Sequence, residues 1–129
     1  IIANSKYQYV ALNERVYDLE ERTFQFAKNV ALFCKKLPRS VENIEYIKQL
    51  IKASGSVGAN YIEANEPLGE KDFTMRLKIS RKESKESAYW LRLIRETNDQ
   101  KFEAEAAVLI GEAIELKKIF SSIICKTKH

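Results

Sequence analysis

Apolar residues recur at spacings of three and four along nearly the whole chain, and four stretches keep that rhythm long enough to predict α-helices. The first spans about Leu12 to Leu37, where Val16, Leu19, Thr23, Phe26, Ala27, Val30, Phe33, Cys34 and Leu37 form one stripe. Lys35 and Lys36 are expected in its last turn, where positive charge complements the helix dipole, and Pro38 stops it. Ser40 is the expected N-cap of the second helix, which runs to about Asn65 on a stripe of Ile44, Ile47, Ile51, Ser54, Gly58, Tyr61 and Ile62. Small residues gather at its middle: Ala53, Ser54, Gly55, Ser56, Gly58 and Ala59. A helix-interior glycine costs about 1 kcal/mol relative to alanine, so Gly55 and Gly58 predict the close approach of another backbone.

Pro67 and Gly69 end that segment. A third helix is expected from about Lys71 to Glu96, with its cap near Gly69, and Asn98 and Asp99 turn the chain into a fourth, from about Lys101 to Lys126. The inward face of the third is Phe73, Leu77, Ser80, Ser84, Ser87, Leu91 and Ile94. That of the fourth is Phe102, Ala106, Leu109, Ala113, Leu116, Phe120, Ile123 and Ile124. Four helices of about 25 residues joined by short loops predict an all-α fold, an antiparallel up-down-up-down four-helix bundle. Residues 1–129 read as a single domain, with residues 1–10 a loose arm that Tyr7, Tyr9 and Val10 can dock.

Composition narrows the chemistry. The chain has 129 residues, is 45% hydrophobic and 31% charged, and carries only 4 Gly and 2 Pro, too few for a many-stranded sandwich. Its single His is His129, which argues against a His-based catalytic site or a His-rich metal site. The expectation is a protein that is not an enzyme and has no metal or other cofactor. Cys34 and Cys125 lack metal-ligand spacing and both lie in apolar helical runs, so both are read as small buried hydrophobes. In the expected topology they fall at opposite ends of the bundle, about 30 Å apart and beyond disulfide reach. No apolar run is long enough to span a membrane, and Ile1 to Lys6 do not resemble a secretion signal, so a reducing cytoplasm is expected.

Charge is small in sum and concentrated in place. The formal +4 is made of +3 over residues 1–39, −2 over 40–66, +3 over 69–97 and 0 over 98–129, so the third helix carries a concentrated excess partly offset by an acidic second. Lys71, Lys78, Arg81, Lys82, Lys85, Arg92 and Arg95 fall within an arc of about 140° on the third helix. Such a stripe suits a phosphate backbone, although it also describes an ordinary solvated helix face. Arg76 lies outside the arc, and its expected role is structural, paired with Glu83 or Glu63. Ser80, Ser84 and Ser87 lack a supporting His or Gly-rich elbow and read as close-packing residues bonded back to the preceding turn. Gly55 and Gly58 lack the context of a phosphate-cradling loop. Of the adjacent Tyr89 and Trp90, one should be core and the other can reach a neighbour or a ligand. A second apolar strip on the second helix, Tyr46, Leu50, Val57 and Ala64, points to a further buried surface and hence to self-association.

The run Ser54-Gly55-Ser56-Val57-Gly58-Ala59-Asn60-Tyr61-Ile62-Glu63-Ala64, followed by Asp72-Phe73 and the block from Lys78 to Leu91, resembles one bacterial family. It is the family of four-helix bundle proteins encoded in intervening sequences of 23S ribosomal RNA genes, often labelled ribosomal proteins. The accessory protein of diversity-generating retroelements is similar to the same family. The resemblance covers about Asp18 to Phe120, and Asn60, Glu63, Arg81 or Lys82, Glu83, Glu86 and Tyr89 stand at matching positions. Ser80 and Arg81 replace the alanine and leucine common before the Lys-Glu pair. The resemblance implies a homopentamer with a basic surface for RNA or DNA and no enzymatic activity. Asn60, Glu63, Arg76, Glu83, Glu86 and Tyr89 are then expected as polar structural or interface residues.

The expected function is therefore a non-enzymatic, oligomeric nucleic-acid-binding protein. Its partners would be further copies of itself and RNA or DNA, with neither a membrane nor a small-molecule substrate. A protein-interaction or scaffold module that does not touch nucleic acid is the alternative.

Overall fold

The hydroxyl of Ser40 accepts a hydrogen bond from the Asn43 backbone N–H at 3.1 Å, the cap expected for the second helix. The computed structural model describes residues 6–127, with side chains from Asp18 onward. Its helices are α1 (Lys6–Cys34), α2 (Val41–Ala64), α3 (Glu70–Thr97) and α4 (Glu103–Lys126), with a 3₁₀ turn at Gln100–Phe102 before α4. No strand occurs among the described residues.

Helix α1 starts earlier than the periodicity implies. Lys6 to Val10 are helical, while residues 1–5 and the docking of Tyr7, Tyr9 and Val10 lie outside what is described. The helix also ends at Cys34, which leaves Lys35 and Lys36 in the turn after it. Gly69 precedes α3 without a side-chain cap; instead Asp72 reaches back and accepts from the Leu68 backbone N–H at 3.1 Å.

Each helix packs on two others: α1 on α2 and α4, and α3 on α2 and α4. The core inside this ring is continuous from Leu19 and Phe26 to Phe120 and Ile124. On α3 every expected inward residue is buried, including Ser80, Ser84 and Ser87. The Ser84 and Ser87 hydroxyls donate to carbonyls one turn back at 2.8 Å, as expected. Ser80 instead donates across the interface to the Val57 carbonyl at 2.9 Å, tying α3 to α2. At one end Asn43, itself buried, exchanges amide hydrogen bonds with Asn98 at 2.8 and 2.9 Å. At the other end of α2, the Asn65 amide donates to Glu20 on α1 at 2.7 Å.

The face of α2 corrects the expectation in part: Ser54 and Tyr61 of the expected stripe are buried, but its isoleucines are not. Leu50, Val57 and Ala64, assigned to the surplus strip, are in the core, whereas Ile44, Ile51 and Ile62 are exposed. Both strips have helical spacing, and the neighbours decide which turns inward. The flank carrying Gly58 abuts α1, where an added Cβ would lie 2.9 Å from Thr23 Oγ1. Gly58 thus marks a close approach, but Gly55 does not, because nothing lies within 4 Å of its own Cβ position. The cysteines also divide. Cys34 is buried, and burial pushes its thiol up to about 11, so it stays protonated. Cys125 is exposed, because it sits about 100° round α4 from the buried Ile124. Both are free thiols.

Candidate nucleic-acid interface

Because one face of α3 is given wholly to the core, its charged residues are displaced to the opposite side. Lys71, Lys78, Lys82, Lys85 and Arg92 are exposed, and Arg81 is half-buried. Among the described residues none of these six forms an ion pair. They extend over about 32 Å of helix by rise alone. Arg95 differs: its Nε lies 3.1 Å from Glu96 and 3.9 Å from Glu103 at the start of α4, so much of its charge is already matched. Near the start of α3 an open depression is lined by Glu70, Lys71, Thr74, Met75 and Lys78.

The flank of α3 facing α2 is polar and knitted together. Arg76 pairs with neither Glu83 nor Glu63. Its Nη1 donates to Asn60 Oδ1 at 3.1 Å, and its Nε lies 3.5 Å from Asp72 Oδ1. Helical side chains lean toward the N-terminus, so Arg76 reaches the carboxylate one turn before it and not the one two turns after. The Asn60 amide in turn donates to the carbonyl and hydroxyl of Ser56 at 3.0 and 2.9 Å. Glu63 is exposed and stands apart from this group. Glu83 is half-buried; burial, and next the nearby Glu86 charge, raise its carboxyl above the ordinary value, although Lys82 and Lys52 oppose the shift. Glu86 accepts from the Trp90 indole N–H at 3.2 Å, and Trp90 packs against Tyr46 of α2 with ring centroids 6.1 Å apart. Tyr89 points outward.

Sequence reasoning missed the strongest ion pair between helices. Arg22 of α1 grips Glu112 of α4 bidentately, at 2.7 and 2.9 Å, and this hydrogen bond above all raises the Arg22 pKa. Residues 90 positions apart leave no local pattern to find.

The arrangement leaves exposed cations on the outward side of α3, next to a polar flank that faces α2. The family model described as 23S rRNA-intervening sequence protein matches residues 15–122. The chain belongs to this family. A solved structure of a protein of unknown function from the S23 ribosomal protein family of Bacteroides thetaiotaomicron is 27% identical. The match covers 84% of this chain and 96% of that one, with a TM-score of 0.69. Among curated proteins none matches. The 23S rRNA-intervening sequence protein family thus agrees with the resemblance carried by the Ser54–Ala64 run. No helix among the described residues is long and apolar enough to cross a membrane.

Proposed function

We propose that this chain is a non-enzymatic, oligomeric nucleic-acid-binding protein of the cytoplasm that holds RNA or DNA through the basic face of α3. The observation that carries the reading is the row Lys71, Lys78, Arg81, Lys82, Lys85 and Arg92, which is turned away from the core and has no carboxylate partner among the described residues. Opposite charges one turn away would normally damp such a row. Of the five α3 acids, Asp72 and Glu86 are engaged on the α2-facing flank by Arg76 and Trp90 and Glu96 is paired with Arg95, which leaves Glu70 and Glu83 beside the row. Arg95 belongs to the edge of the surface, because Glu96 and Glu103 claim it. Binding through such a row displaces counterions from phosphates, so it weakens steeply with salt and reads little sequence. The absence of any His before His129 supports a binding role over a catalytic one.

An antiparallel arrangement is part of the proposal. The order of contacts supports it for α2 and α3, where Asn43 meets Asn98, Tyr46 meets Trp90, Val57 meets Ser80 and Asn60 meets Arg76. The pairs Arg22–Glu112 and Lys36–Glu105 support it for α1 and α4. Self-association is supported by large apolar side chains left exposed on α1 and α2, where Phe24 is 60% exposed, Ile44 54%, Ile51 41% and Ile62 52%. Five copies is the number the family resemblance implies, and would raise the net charge of the assembly to about +20. The same exposed side chains are what favour the scaffold reading as the second choice. The two separate on RNA and DNA affinity measured across a salt series for wild type and a Lys78/Lys82/Lys85→Glu variant. Salt-sensitive binding that the variant loses supports the first, and no binding by the wild type supports the second.

A further inference from the structure

Tyr89 stands among the cations and not beside them. It is 56% exposed on α3, with Lys82 and Lys85 seven and four residues before it and Arg92 three residues after, all exposed on the outward side. At 1.5 Å per residue it lies about 6 Å along the axis from Lys85 and about 4.5 Å from Arg92. Its ring is also held. It meets Trp90 edge-on, with centroids 5.1 Å apart and planes at 76°. Trp90 is itself fixed by Glu86 and by Tyr46. The result is an aromatic ring, 56% exposed and packed on one neighbour, in the middle of the row of cations.

Resting on the nucleic-acid reading above, we infer that the ligand is single-stranded and that Tyr89 stacks one unpaired base while Lys82, Lys85 and Arg92 hold the flanking phosphates. Lysines alone accept any polyanion, duplex or single strand. An exposed aromatic face adds affinity only where a base face is free to meet it, and in a duplex both faces are already stacked. Stacking needs no particular base, so the site tolerates sequence. It needs no 2′-hydroxyl, so RNA and DNA strands gain alike from the ring.

The test measures fluorescence anisotropy with oligo-uridylate, oligo-thymidylate and an RNA duplex of the same length. It compares wild type, Tyr89→Ala, Tyr89→Phe and the Lys78/Lys82/Lys85→Glu variant. Wild type should prefer both single strands to the duplex at matched salt. Tyr89→Ala should lose about tenfold or more on both single strands, with duplex binding and the salt slope unchanged, whereas Tyr89→Phe keeps wild-type affinity. Helical circular dichroism of each variant confirms that the fold is intact. Equal affinity of Tyr89→Ala and wild type for single strands, or an equal loss on the duplex, overturns the stacking role. If that happens while the lysine variant still loses binding, the basic face survives and only the ligand class was wrong. If the lysine variant binds as wild type does, both readings fall.

Discussion

Glu83 shows how one side chain can sit in a charged row and still carry a cost. Burial and Glu86 raise its pKa, so the fold disfavours its ionised form. The native state then binds the proton more tightly than the unfolded chain does. Stability is highest below the ordinary carboxylate range, falls as pH rises through the raised value, and stays lower above it. Glu83→Gln should therefore raise the Tm at neutral pH and leave it nearly unchanged in acid; an equal effect at both pH values would contradict the argument. Arg76 carries the opposite lesson about reading charge from sequence. That it needed a carboxylate was legible, but its partner was not, because the choice depends on the lean of the Cα–Cβ bond and on Asn60 facing it from α2.

At the scale of the helix, the inward face of α3 was legible in full and that of α2 only in part. The inward face of α3 stands out because its other sides are charged, so Ser80, Ser84 and Ser87 could only be core. On α2 both candidate strips are apolar and share one period, and periodicity cannot say which of two apolar faces meets its neighbours. The packing of α2 on α1 decides it, and the glycines of α2 test that packing. Gly55 faces open space, so Gly55→Ala should stabilise by about 0.5–1 kcal/mol through helix propensity alone. Gly58→Ala earns the same propensity, but its methyl would collide with the buried Thr23 side chain of α1. Overpacking costs about 1–3 kcal/mol, so the collision should win and the midpoint of urea unfolding should fall. Stabilisation by both substitutions would mean that α1 sits farther from α2 than described.

Among the described residues, Phe24 of α1 and Ile44, Ile51 and Ile62 of α2 are exposed apolar side chains, and exposed cations stand along α3. If copies associate through the apolar ones, Ile51→Glu should shift sedimentation toward the mass of one chain, while an unchanged mass would move the interface elsewhere. The modest +4 of the chain matters through where it stands: residues 1–39 and α3 each carry +3, and on α3 the cations gather on the outward side while Asp72 and Glu86 are engaged on the flank toward α2. The most direct test of that claim is the dependence of single-strand affinity on salt. Each phosphate neutralised contributes about 0.7 to the slope of log affinity against log salt, so reversing Lys78, Lys82 and Lys85 should flatten it by about 2 and weaken binding. A slope and an affinity identical to wild type in the Lys78/Lys82/Lys85→Glu variant would contradict the account.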